Sequence, residues 1–228
     1  MFSHVFRGLR SPGSVLTLCL LVAVAAIVLA EGCGGSGSAA PSPQRTTSKG
    51  QSTTAGAKYA GIAAVPSKPA PPLALDDSLG DPINLDQYRG TAVFITFIYD
   101  HCPDVCPLIV GNLHTAQSQL GPDAQKLQVI AVSVDPRGDT PKTVRAFLQA
   151  HRMTGRMEYL IGSRPRLERV WRAWHILSKS SSRNAGPDLV EHSALIYGIS
   201  ASGKITTLYP SNFTPSQIVH DVPILASE

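Results

Sequence analysis

Two of the chain's four cysteines stand close together, in the run Asp100-His101-Cys102-Pro103-Asp104-Val105-Cys106-Pro107. Three residues separate Cys102 from Cys106, so on a helix their sulfurs fall one turn apart on one face. At a helix start, unpaired backbone N–H groups and the positive end of the dipole favour thiolate over thiol. A thiolate is both a nucleophile and a soft metal ligand, so the pair supports either thiol-disulfide exchange or metal binding. A purely structural disulfide is a third and weaker possibility, because a bridge closing so short a loop constrains the unfolded chain little. Cys19 lies inside a long apolar run and reads as a passive hydrophobe.

A dithiol of this kind needs a strand-helix junction to hold it, and the flanking sequence supplies one. Residues 92–99 (AVFITFIY) form a continuous apolar, β-branched and aromatic run, the pattern of a strand buried on both faces. The cysteines follow directly, and over about 105–120 Val105, Leu108, Ile109, Leu113, Ala116 and Leu120 recur at helical spacing. Residues 127–134 (LQVIAVSV) make a second buried strand, and Thr140-Pro141 opens a second helix with a cap and a first-turn proline. A third strand over 157–161 and a third helix over 165–174 come next. Strands over 192–200 and 204–209 are joined by Ala201-Ser202-Gly203 as a hairpin, and 214–225 makes a closing helix. Residues 73–85, Asp-rich and punctuated by Gly80, predict short strands and turns leading into the domain. A β-α-β-α-β-α-β-β-α order with a Cys pair after the first central strand is the thioredoxin-like plan. The expected class is therefore α/β, a central mixed sheet flanked by helices, with a C-terminal hairpin and helix.

Two thiolates leave a metal short of partners, which directs attention to the histidines. His4, His114, His151, His175 and His220 fall in the leader or on helical stretches and read as surface or packing residues. His101 adjoins Cys102, but neighbouring side chains diverge, which makes joint ligation awkward. His192 begins an apolar strand directly after a polar loop over 178–187, and in a thioredoxin-like sheet that strand starts near the dithiol. It is the candidate third ligand. Asp135, at the end of the second buried strand, either orients the site from behind or caps the Asp135-Pro136 turn, and both readings stand at this point. Arg164, Arg166, Arg169 and Arg172 read as a solvated helix face, and Trp171 and Trp174 as packing.

Three blocks in order carry a resemblance: Cys102-Pro103-Asp104-Val105-Cys106-Pro107, then Ser133-Val134-Asp135-Pro136-Arg137-Gly138-Asp139-Thr140-Pro141, then Glu191-His192-Ser193. Together they resemble the SCO1/SenC family, membrane-tethered thioredoxin-fold copper proteins that help assemble the dinuclear copper centre of cytochrome c oxidase. The resemblance spans about 70–225, and it implies copper bound by Cys102, Cys106 and His192, with the copper-bearing oxidase subunit as partner. Asp100 stands where that family usually has Thr, and the loop before His192 is short. The residue types favour copper independently: two thiolates and an imidazole suit Cu(I), and a further oxygen ligand completes a Cu(II) site. Structural zinc wants a fourth protein ligand that the sequence does not offer, and Met1, Met153 and Met157 are too few and scattered for a methionine-rich site. A metallochaperone is thus the first reading and a thiol-disulfide oxidoreductase, reducing a target's cysteine pair, the second. Peroxidase chemistry is disfavoured, since no Thr-x-x-Cys arrangement precedes Cys102.

The rest of the chain places this domain. Arg7 and Arg10 precede an apolar run over 15–30, followed by Gly32, Gly34 and Gly35, the order of an export signal over 1–32. Leu29-Ala30-Glu31-Gly32-Cys33 resembles a bacterial lipobox, which implies lipidation of Cys33; an uncleaved membrane anchor is the alternative. Either one attaches the chain to the cell membrane through its N-terminus, with the folded part on the extracytoplasmic side. Residues 33–68 are rich in Gly, Ser, Pro and Thr, poor in large apolar side chains, and predict a flexible tether to a monomeric domain over 69–228. The net charge of +4 does not signal nucleic acid, because residues 69–228 hold fourteen basic against fifteen acidic side chains.

Overall fold

The computed structural model describes residues 57–180, 190–192 and 194–228. Its centre is the pair of apolar runs anticipated above. Strand β4 (Ala92–Ile98) is buried at all seven positions, and because successive side chains point to opposite faces, both faces of the sheet must be covered there. Strand β5 (Leu127–Ser133) lies parallel to it in register from Ala92↔Leu127 to Ile98↔Ser133. Around them run the strands β1 (Ile62–Pro69), β2 (Ala74–Asp77), β3 (Pro82–Asn84), β6 (Glu158–Ile161), β9 (Leu195–Ile199) and β10 (Lys204–Pro210). One mixed sheet of eight strands results, in the order β1-β10-β9-β4-β5-β6-β2-β3. Helices α1 (Val105–Leu120), α2 (Pro141–Ala150), α3 (Arg164–Ala173) and α4 (Pro215–Ala226) flank it, each burying an apolar stripe such as Ile109, Val110 and Leu113 on α1. Trp171 and Trp174 are core residues, Trp171 donating its indole N–H to the Ser133 carbonyl at 3.0 Å.

Two expectations need correction. The tether does not run to residue 68: from Ile62 the chain is already strand β1, paired antiparallel with β10. An edge strand is held by one row of backbone hydrogen bonds while its side chains face water, as Val65 does at 88% exposure, so it carries no apolar signal. Just ahead of it, the backbone N–H groups of Ala60 and Gly61 each donate to the carboxylate of Asp221 at 2.8 Å, and Tyr209 donates its hydroxyl to the same buried group at 2.7 Å. The second correction concerns the strand expected over 192–200. It divides: β9 begins only at Leu195, while His192 ends a separate strand β8 (Val190–His192) paired with β7 (Ser178–Ser180). Leu195 faces Pro210 at the end of β10, and the β4 ladder to β9 stops at Thr96↔Ile196. Residues 190–192 pair with β7 in a separate two-stranded sheet and not with the large one.

Candidate metal centre

Sheet topology brings three segments to one end of the molecule. Strands β4 and β5 are parallel, so the turn after β4, carrying Asp100 to Cys106, and the turn after β5, carrying Val134 to Asp139, leave the sheet side by side. Strand β9 is antiparallel to β4, so its beginning lies at that same end, and His192 precedes it by three residues. This is the crevice beyond the carboxyl ends of the strands, where open α/β sheets place their ligands.

Cys102 does not lie on the helix but just before it. Helix α1 opens at Val105, and its cap residue Asp104 makes no side-chain capping bond. The sulfur of Cys102 fills that role: the backbone N–H of Cys106 donates to Cys102 Sγ at 3.4 Å. Cys102 is partly exposed, Cys106 is buried, and both are free thiols rather than a disulfide. Hydrogen bonding from the Cys106 side chain, outweighing partial burial and joined by the N–H groups of Asp104 and Cys106, pulls the Cys102 thiol down to about 5. The same contact, with deeper burial, pushes Cys106 far up. Between these limits the pair holds one proton, as a thiolate at Cys102 and a thiol at Cys106. Iodoacetamide is therefore expected to alkylate Cys102 at a rate that falls away only as pH drops through about 5, with Cys106 unmodified in the folded chain. Peptide mapping by mass spectrometry across pH 4–9 reads this, and a Cys102 midpoint near the ordinary thiol value of 9.0 contradicts it.

The turn after β5 braces the cysteine turn from below. Asp139 is buried, accepting the Asp100 backbone N–H at 2.9 Å on one carboxylate oxygen and the Tyr159 hydroxyl at 3.0 Å on the other. Burial pushes its carboxyl up to about 7, against the pull of the hydrogen bonds it accepts. Asp135 Oδ1 accepts the Arg137 N–H at 3.0 Å, the turn-capping contact. Its Oδ2 lies 3.3 Å from His101 Nε2, so Asp135 also holds the imidazole next to Cys102. Gly138 permits this approach: a Cβ there would sit 2.3 Å from His101 Cε1 and 2.5 Å from Asp135 Oδ2. The His101 ring stands edge-on to Tyr99, centroids 5.0 Å apart.

The structure thus brings Cys102, Cys106 and Asp135 to one end of the sheet and carries the His192 backbone toward it; the His192 side chain and Cys33 lie outside the described residues. The remaining described histidines pack or face water, His151 against Phe147 and His220 against Asp221. Arg166 pairs with Asp76 and Arg164 with Glu168 on an exposed face. Sequence reasoning gave no role to Asp139 or Tyr159. The available signal was an acidic residue directly before the Thr140-Pro141 helix start, where Thr140 already supplies the capping box.

Comparison with known proteins bears on the fold and the family. The chain spans about half the length of the curated relatives it matches: the mitochondrial SCO2 homolog of Bos taurus is 29% identical over 138 residues, which are 59% of this chain and 51% of that protein. Among solved structures, the apo Sco1 protein of Thermus thermophilus is 27% identical with a TM-score of 0.65, over 73% of this chain and 96% of its own. The copper-bound ScoI of Bradyrhizobium japonicum is 27% identical with a TM-score of 0.61, over 72% and 99%. These share the mixed, helix-flanked sheet, so the fold is thioredoxin-like as expected. The SCO1/SenC family model matches residues 65–227, a stretch that holds the dithiol turn, the turn that braces it and the strand of His192, and the chain belongs to the SCO1/SenC family.

Proposed function

We propose that this protein is a membrane-attached copper metallochaperone, binding copper through Cys102, Cys106 and His192 and supplying it to the dinuclear centre on the copper-bearing subunit of cytochrome c oxidase. The observation that carries the reading is the pair of free cysteines at the start of helix α1, Cys102 Sγ accepting the Cys106 N–H, at the sheet end toward which the His192 strand runs. That donor set fits the metal: soft sulfur and a borderline imidazole suit Cu(I), and relatives of the same fold are described with copper bound. Engaging the second sulfur releases the proton held on Cys106, so copper affinity rises with pH. Attachment is assigned to residues 1–33, through lipidated Cys33 or an uncleaved apolar run, on the order of Arg7 and Arg10, the apolar run over 15–30 and the small residues after it.

A thiol-disulfide oxidoreductase is the second reading, favoured by the low Cys102 value, since a partly exposed thiolate is what attacks a disulfide. The test uses a strain lacking the native gene. The wild-type chain should restore the copper content of the oxidase, Cys102→Ser should leave it at the deletion background, and Cys33→Ser should accumulate as a heavier precursor. Full restoration of oxidase copper by Cys102→Ser overturns the proposal.

A further inference from the structure

Beside the dithiol, and distinct from it in chemistry, stands a cluster of oxygen and nitrogen donors. Asp100, His101 and Asp139 each offer one ligand atom, and the three atoms lie within 4.8 Å of one another. The closest pair, His101 Nδ1 and Asp100 Oδ1, are 2.8 Å apart. That contact is a hydrogen bond, which a bound ion would replace; two ligands on one transition-metal ion at about 2.0–2.2 Å stand roughly 3 Å apart, so the exchange needs little movement of either side chain.

One further observation points to a ligand, and the surroundings suit one. The Asp100 side chain is only 5% exposed, yet its second oxygen, Oδ2, is buried with no hydrogen-bond partner. A buried carboxylate oxygen left unpaired is costly, and a cation repays that cost. The far ring nitrogen of His101, Nε2, lies 3.3 Å from Asp135 Oδ2, the carboxylate-behind-imidazole arrangement that orients metal-ligating histidines. Gly138 gives this pairing its room, and the Asp100 backbone N–H donates to Asp139 at 2.9 Å, which fixes the spacing of these two residues. His101 is 37% exposed, which leaves an approach from solvent and positions for water.

We propose that Asp100, His101 and Asp139 form a second cation site, oriented by Asp135, for a divalent transition metal of borderline hardness such as Cu(II) or Zn(II). Two carboxylates and an imidazole match that class, while Cu(I) belongs with the sulfurs. The protein would then hold a harder ion and a softer one in adjoining places at one end of the sheet.

The test removes the sulfurs first, so that its outcome is independent of the dithiol reading. Full-length chain carrying Cys102→Ser and Cys106→Ser is titrated with Co(II) as a spectroscopic probe and with Zn(II) in competition. One Co(II) per chain is expected, with visible d–d bands and no thiolate charge-transfer band. Adding Asp100→Asn should weaken binding at least 100-fold and Asp135→Asn about 10- to 100-fold, as for other groups behind a ligating histidine. Nitrogen-15 NMR of the sulfur-free chain supplies a reading that needs no further substitution: Zn(II) should shift His101 Nδ1 and leave Nε2 in its hydrogen bond. Absence of binding, an undisturbed His101 ring, or equal affinity in Asp100→Asn each overturns the proposal.

Discussion

Joining Cys102 to Cys106 as a disulfide is expected to take Cu(I) binding from one equivalent per chain to none, and a reductant is expected to restore it. Copper bonds to thiolate sulfur, and a disulfide sulfur has neither the charge nor the free valence for that bond. The structure sharpens the expectation, because both proposed sulfur ligands are lost in one step. Cys102 Sγ accepts the Cys106 backbone N–H at 3.4 Å, which keeps the two residues adjacent at the helix start, and the neighbouring Cys106 side chain with nearby N–H groups holds the Cys102 thiol down at about 5. Oxidation therefore needs little rearrangement, and the redox state of the pair becomes the switch for copper. Metal analysis of the full chain after complete oxidation, gel filtration and re-reduction gives the answer. Stoichiometric Cu(I) on the fully oxidised chain, identified with a Cu(I)-specific chelator so that Cu(II) held elsewhere is not counted, would falsify the assignment of both cysteines.

The parts of this fold that were legible in the sequence are those where burial is complete. β4 and β5 announce themselves as unbroken apolar runs because both of their faces are covered, and α2 announces itself because Thr140 and Pro141 begin it with a cap and a fixed φ. β1 is silent because an edge strand needs backbone hydrogen bonds and little else, so Ile62 and Val65 can face solvent. The cysteines were legible from spacing and type, yet their asymmetry was not. Nothing in a three-residue interval says that α1 opens at Val105, leaving Cys102 outside as an acceptor and Cys106 inside as a buried donor. Asp139 was hidden for another reason. Its role comes from contacts with Asp100 and Tyr159, which are 39 and 20 residues away, and only the β4-β5-β6 pairing brings them together.

The dithiol alone serves both proposed functions, and His192→Ala is the substitution that divides them. It removes one nitrogen donor and leaves the Cys106 N–H to Cys102 Sγ hydrogen bond and the helix start as they are, since both are set on the cysteine turn. Copper affinity should drop by more than the roughly 10- to 100-fold typical of losing a group that only supports a ligand. Disulfide exchange should continue at nearly the wild-type rate, because that rate follows the thiolate fraction of Cys102 and its access, both set on the cysteine turn. Competition titration with a Cu(I) chelator measures the first quantity, and reduction of a dithiol-forming peptide the second. In a deletion strain at limiting copper, a metallochaperone so altered should fail to load the oxidase, and added copper should rescue it in part. An oxidoreductase should succeed regardless of copper supply. Full oxidase activity from His192→Ala, alongside failure of Cys102→Ser, would mean that electrons rather than copper pass through this pair.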